Sequence, residues 1–74
     1  MKKFNPSYFE ISAWGKEALY IEKFDTTDFV IANETYKKMK KKYKEYPEIK
    51  VSFEIVVYDK INDVPLYFLI KRSK

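Results

Sequence analysis

The sequence predicts an α+β domain, in which a four-stranded, mainly antiparallel sheet (ββαββ order) carries one amphipathic helix packed on one face. Three observations lead to this prediction. Two segments before residue 25 and two after residue 48 alternate apolar and polar residues, as half-buried strands do. Between them, apolar residues recur at helical spacing, and turn-forming residues separate the segments. A chain of 74 residues is expected to form a single domain, residues 1–74.

The first hairpin is predicted from two strands, residues 8–14 and 18–24. Gly15 is expected to supply a positive φ in the turn between them. A two-residue loop would place Leu19 and Ile21 on the sheet face that carries the tryptophan. A three-residue loop with a β-bulge would place them on the opposite, aliphatic face. We prefer the second register because it gathers the aliphatic residues on one face.

The helix is predicted to lie between residues 25–28 and Pro47. Residues 25–28 (Asp-Thr-Thr-Asp) offer capping side chains and acids for the positive end of the helix dipole. The two central apolar residues of segment 29–32 do not fit the apolar stripe. Either the helix begins nearer Asn33 and 29–32 is extended, or these residues contact another part of the chain; the firmest helical segment is 34–45. The stripe, with spacings of three and four, consists of Phe29, Ala32, Tyr36, Met39, Tyr43 and Tyr46.

The second hairpin is predicted from residues 49–58, a turn at 59–63 rich in Asn and Asp, and a last strand. Pro65 indicates an edge position or a strand start. The predicted core-facing residues of the last strand are Val64, Leu66, Phe68 and Ile70, and the opposite face carries Pro65, Tyr67, Leu69 and Lys71.

Composition excludes several kinds of chemistry. The chain has no Cys and no His, and a single Gly, which removes disulfides, imidazole bases, the usual zinc ligands and glycine-rich phosphate loops. Glu10 and Glu22 are expected to lie near each other, with Glu54 on a neighbouring strand, but the short connections leave no cleft for acid–base catalysis. We therefore expect no catalytic residue, metal, cofactor or small-molecule substrate.

Source and compartment are predicted from residue usage. Residues with AT-rich codons (Lys, Ile, Tyr, Phe and Asn) make up half of the chain, which favours a low-GC bacterium or its phages. The N-terminal Met-Lys-Lys is followed by Asn5-Pro6-Ser7 instead of an apolar segment, so no signal peptide is expected. No apolar run is long enough for a membrane span. We expect a cytoplasmic protein, in the host cytoplasm if phage-encoded.

The sheet face opposite the helix is predicted to be the functional surface. About half of its positions are aromatic or aliphatic, whereas a solvated face should be polar. Such a patch is typical of an interface with a protein target or a second copy of the chain; the plain interpretation is that Tyr is simply a good strand residue. The predicted contact residues are Tyr8, Trp14, Tyr20, Phe24, Val56, Tyr58, Tyr67 and Leu69.

A lysine-rich helix surface supports a second hypothesis. Six Lys and two Glu give segment 34–45 the whole excess charge of +4. Lysines along one helix can neutralise phosphates without sequence preference, although i,i+4 pairs such as Glu34–Lys38 are equally typical of a solvated surface. The nucleic-acid contacts would be Lys37, Lys40, Lys41 and Lys44.

These features together predict a small, basic, non-enzymatic binding protein. Its composition and aromatic surface suit a phage or mobile-element accessory protein that inhibits a host enzyme or defence system by occupying a protein surface. The alternative is a nonspecific nucleic-acid-binding protein that uses the lysine-rich helix.

Overall fold

The computed structural model describes residues 7–17 and 19–73, and these residues form the predicted ββαββ fold. All neighbouring strands are antiparallel, and the sheet order is β2-β1-β3-β4. Ala18, expected in the second strand, and residues 1–6, which contain most of the segment used to exclude a signal peptide, lie outside the described residues. The elements are β1 (Tyr8–Trp14), β2 (Tyr20–Thr26), α1 (Phe29–Lys42), β3 (Lys50–Asp59) and β4 (Val64–Arg72).

The core lies between α1 and the middle of the sheet. Phe53 of β3 is fully buried. The centre of its ring lies 5.8 Å from the ring centre of Phe9, 5.9 Å from that of Phe29 and 5.7 Å from that of Tyr36. The helix packs on β1, β2 and β3, whereas every residue of β4 is exposed. The sheet is therefore wider than the helix that covers it. The buried apolar cluster consists of Ile11, Ala13, Ala32, Tyr36, Met39, Val51 and Phe53.

The helix begins at Phe29, which decides the question left open for residues 29–32. Asp28 is the N-cap: its Oδ1 accepts hydrogen bonds from the backbone N–H of Val30 at 2.8 Å and of Ile31 at 3.1 Å. The helix ends at Lys42, earlier than expected. Residues 43–46 form turns instead, which carry the chain towards Pro47.

The first hairpin contains a β-bulge, as expected, but the preferred register, with Leu19 and Ile21 on the aliphatic face, is wrong. Ile21 is an extra residue in β2, because Trp14 pairs with Tyr20 while the preceding residue of β1 pairs with Glu22. This bulge places Glu22 and Phe24 on the helix side of the sheet, in the positions expected for aliphatic residues. Glu22 is held there because its Oε1 accepts hydrogen bonds from Lys42 Nζ at 2.9 Å and Tyr43 OH at 2.8 Å.

Gly15 does not have the positive φ that was predicted for it. Its N–H donates a 2.8 Å hydrogen bond to the carbonyl oxygen of Leu19. A Cβ atom at this position would lie 3.3 Å from Cδ1 of Ile21, so glycine relieves a close approach within the bulged hairpin. Among the described residues, the positive φ occurs at Asp63 (60°), in the turn before β4.

The edge strand β4 is also bulged, and the predicted alternation fails at its end. Leu69 pairs with Glu54, and Lys71 pairs with the neighbouring residue Phe53. Ile70, between them, is therefore the extra residue of the bulge. Lys71 therefore lies on the helix side, where its Nζ donates to Asn33 Oδ1 at 3.3 Å.

The apolar residues of β4 do not reach the core that they were predicted to face. Val64, Leu66 and Phe68 pair with helix-side residues of β3, as predicted. They nevertheless remain 43%, 40% and 53% exposed, because α1 does not extend over the edge of the sheet. Ile70, at the bulge, is also exposed.

Candidate protein-binding face

The face of the sheet opposite α1, which we call the outer face, is organised in rows by strand pairing. Directly paired residues of neighbouring strands point to the same side, so each row crosses the sheet at right angles to the strands. Three carboxylates of neighbouring strands, which we call the acidic row, lie in one such line: Asp25 of β2, Glu10 of β1 and Glu54 of β3, followed by Leu69 of β4. The flanking rows are Tyr8, Val56 and Tyr67 on one side, and Lys23, Ser12, Ser52 and Arg72 on the other.

Seven of the eight predicted contact residues lie on the outer face. Phe24 is the exception, because the β2 bulge turns it to the helix side. Tyr20, Tyr67 and Leu69 are 48%, 51% and 52% exposed. Val56 is buried and offers no surface to a partner. The half-buried members are Tyr8, Trp14 and Tyr58.

Two aromatic side chains lie over a polar floor at the β1–β2 end of this face. The ring centres of Trp14 and Tyr20 are 4.2 Å apart. Trp14 Nε1 donates a 2.9 Å hydrogen bond to Ser12 Oγ, and Tyr20 OH donates a 2.9 Å hydrogen bond to Glu10 Oε2. Ser12 and Glu10 are both 0% exposed. The rings are thus held in place by the polar groups that they help to bury.

Glu10 is only partly satisfied in this position. Its Oε1 is buried and has no hydrogen-bond partner among the described residues. The nearest cation is the ammonium of Lys23, 3.9 Å from Oε1 and 5.5 Å from the centre of the Tyr20 ring. A buried carboxylate oxygen without a donor is costly, so this atom marks an incomplete interaction.

Glu54 lies directly opposite Glu10 and shares its environment. Burial and the neighbouring Glu10 charge raise the pKa of Glu54, and Arg72 offsets part of that effect. The pKa of Tyr8 is raised by burial and by the negative potential of Tyr67, Asp25 and Glu10. The middle of the outer face is therefore electronegative in a chain with a net charge of +4.

The expected proximity of Glu10 and Glu22 is wrong. The two carboxylates lie on opposite faces of the sheet, because Glu22 pairs with Ala13 on the helix side. Within residues 7–17 and 19–73, no group of three or more carboxylates is arranged to hold a metal ion. A shallow concavity of about 360 Å³ lies beside Trp14 and Lys50 at the end of the outer face and also includes Glu54 and Arg72.

The lysines proposed for nucleic-acid binding lie on the other side of the molecule. Lys37, Lys40, Lys41 and Lys44 are all exposed on α1 and the turn after it. Lys42 of the same segment is paired with Glu22. Among the described residues, no helix could cross a bilayer, since α1 is too short and too polar.

The acidic row is the part of this face that the sequence pattern did not reveal. Glu10 and Glu54 were assigned to outward positions, but alternation does not say which residues of two strands lie opposite each other. The one sequence signal for the acidic row was that Glu10 and Glu54 both take outward positions on their strands. Only the strand order, with β1 next to β3, makes them neighbours.

No protein-family model, curated protein or solved structure matches this chain.

Proposed function

We propose that this chain is a small, non-enzymatic protein that binds another protein through the outer sheet face. The observation that carries the proposal is the exposure of Tyr20, Tyr67 and Leu69, each about half accessible, on a face that α1 does not cover. Tyrosine supplies a large contact area at low entropy cost and is enriched at binding hot spots.

The arrangement of the aromatic side chains supports binding. Tyr20 is fixed by its hydrogen bond to Glu10 and by its contact with Trp14, so little conformational freedom remains to be lost on association. Tyr67 and Leu69 lie on the edge strand β4, where both side chains are about half exposed and α1 does not pack. Exposed aromatics on a pre-organised surface are typical of a docking face.

The biological form that we propose is steric inhibition. A 9.0 kDa protein with one rigid, aromatic face can block a larger enzyme by occupying its surface. The residue usage, with half of the chain from AT-rich codons, favours a phage or mobile element as the source and a host enzyme or defence protein as the target.

Affinity capture from host lysate, read by mass spectrometry, tests this proposal. The double variant Tyr67→Ser/Leu69→Ser removes exposed apolar surface from the outer face. The matched control is Ile61→Ser, because Ile61 is 93% exposed in the β3–β4 turn, away from that face. We expect the double variant to lose the captured protein and the control to retain it. Equal capture by both variants would contradict binding through the outer face.

Sedimentation of the isolated protein separates a target from a second copy. If the partner is a second copy, the wild-type chain sediments as a dimer and the Tyr67→Ser/Leu69→Ser variant as a monomer. If the partner is a different protein, both sediment as monomers and differ only in capture.

A second candidate function is nonspecific nucleic-acid binding by α1. The exposure of Lys37, Lys40, Lys41 and Lys44 favours it, since these ammonium groups are accessible to phosphates. Binding to a DNA or RNA oligonucleotide should weaken steeply with salt and should fall in the variant Lys40→Glu/Lys44→Glu. No binding at about 0.15 M salt would exclude this function.

A further inference from the structure

The acidic row is an arrangement that the described part of the fold neutralises only in part, through Lys23 and Arg72. Asp25, Glu10 and Glu54 lie side by side on three neighbouring strands. Like charges directly opposite each other destabilise a sheet. The described cations nearest to the row, Lys23 and Arg72, lie in the flanking row at the two outer strands. Three carboxylates thus occupy a line in which the Lys23 ammonium, 3.9 Å from Glu10 Oε1, is the cation that the described residues place at the centre.

The buried atom Oε1 of Glu10 points independently to a missing donor. Glu10 is 0% exposed, yet this oxygen has no hydrogen-bond partner within the described residues. The Lys23 ammonium approaches to 3.9 Å, which is beyond hydrogen-bond distance. Because the Lys23 side chain is itself 45% exposed, it can swing into solvent and leave this position open.

The surrounding rings suit a cation. Lys23 already lies 5.5 Å from the centre of the Tyr20 ring, which shows that the ring faces can accept positive charge at this place. Tyr8 and Tyr67 flank the acidic row on its other side. Carboxylates bordered by aromatic rings are a combination that recognises guanidinium and ammonium groups.

We propose that the acidic row binds the guanidinium or ammonium group of an Arg or Lys side chain from the partner protein. The incoming group displaces the Lys23 ammonium, donates to Glu10 Oε1 and is shared with Glu54. Arginine fits better than lysine, because its planar fork donates to two carboxylates at once. This inference rests on the proposed function, since it names the chemistry with which the outer face recognises its partner.

Titration with N-acetyl-arginine amide tests the inference without knowledge of the partner. Trp14 is the only tryptophan, and it contacts Tyr20 on the outer face, so its fluorescence reports on this site. We expect a saturable change with a Kd in the range of about 1–10 mM, as suits one side chain. N-acetyl-citrulline amide, the neutral isostere, should give no saturable change. Equal responses to the two compounds, or no response to the arginine compound, would overturn the inference.

Charge-removing variants localise the binding. Glu54→Gln and Glu10→Gln should each weaken binding of N-acetyl-arginine amide about tenfold. The matched control is Glu48→Gln, which removes the same charge from an exposed turn before β3, outside the acidic row. Because Glu10 is buried, the folding of Glu10→Gln is checked by near-UV circular dichroism. If Glu10→Gln is unfolded, the test depends on Glu54→Gln. Affinity that falls equally in Glu54→Gln and Glu48→Gln would show a general charge effect and overturn the assignment.

The displacement step has its own test. Lys23→Gln removes the resident ammonium and should strengthen binding of N-acetyl-arginine amide about threefold or more. The control Lys38→Gln, on the exposed surface of α1, should leave affinity unchanged. Identical affinities for these two variants would show that Lys23 does not occupy the site.

The outcomes separate this inference from the proposed function. If N-acetyl-arginine amide does not bind but lysate capture still depends on Tyr67 and Leu69, the cation site is wrong and the protein-binding face stands. If N-acetyl-arginine amide binds but capture is independent of these residues, the site exists and the proposed function fails.

Discussion

Replacing Glu54 by Gln is expected to stabilise the fold at neutral pH. Glu54 lies directly opposite Glu10, and burial and that neighbouring charge raise its pKa above the ordinary value of 4.5. A carboxyl whose pKa is raised by folding adds stability when it is protonated, below its unfolded pKa. That contribution is lost as the pH rises through the folded pKa. Once it is ionised, Glu54 therefore opposes folding, and a neutral amide of the same shape does not.

The size of the gain follows from the geometry of the pair. Like charges directly opposite in neighbouring strands cost about 0.2–1 kcal/mol. Glu54 is half-buried and Arg72 offsets part of the repulsion, so we expect the middle of this range, about 0.5 kcal/mol. For a domain of this size, that free energy corresponds to an increase of about 2–4 °C in Tm. Near pH 3, where the carboxyl is protonated in both states, the gain should vanish.

Urea unfolding monitored by Trp14 fluorescence at several pH values between 3 and 8 measures this difference. Glu48→Gln is the matched control, because it makes the same change in net charge at an exposed position. A gain for Glu54→Gln that does not change with pH, or a loss of stability at pH 7 relative to the control, would refute the like-charge interpretation. Since the same variant should lose affinity for arginine, increased stability with reduced binding would mark Glu54 as a functional residue.

Other substitutions test the core, the helix cap and Glu22, the carboxylate on the helix side of the sheet. Phe53→Ala should destabilise the fold by about 3–5 kcal/mol in urea unfolding, because Phe53 is fully buried at the centre of the aromatic cluster. Asp28→Ala should cost about 1 kcal/mol by losing the N-cap, while Asp28→Asn, which keeps an acceptor, should cost less. Glu22→Gln should show the opposite pH dependence to Glu54→Gln: hydrogen bonds from Lys42 and Tyr43 lower the pKa of Glu22, so its contribution is present above the unfolded pKa and disappears on acidification. Because Glu22 is 38% exposed on its side chain, that effect should stay below about 1 kcal/mol and should weaken in high salt.

The order and type of the elements were predicted from local patterns, and the structure confirms them. Alternation marked β1 and β3 almost to their ends, and the Asp-Thr-Thr-Asp segment supplied the cap that starts α1. The end of α1 was less well predicted, because the residues after Lys42 continue the helical spacing but form turns. Helix ends depend on the competition between local turns and the helix, which spacing alone does not describe.

The faces of the two edge strands were not determined by the sequence. One extra residue at Ile21 turned Phe24 from the outer face to the helix side, and one at Ile70 did the same to Lys71. A strand pattern repeats every two residues, so a single bulge reverses every assignment after it. Edge strands accept bulges because they pair on one side only.

What the sequence determined by itself was the existence of an aromatic outer face with acids among its residues, because alternation fixes the side of β1 and β3 on which each residue points. The tertiary structure alone decided that Asp25, Glu10 and Glu54 form one row, and that the edge of the sheet extends beyond α1. The physical reason is that a local pattern sets the direction of a side chain, whereas its neighbour across the sheet is set by strand order and register. Those depend on long-range packing.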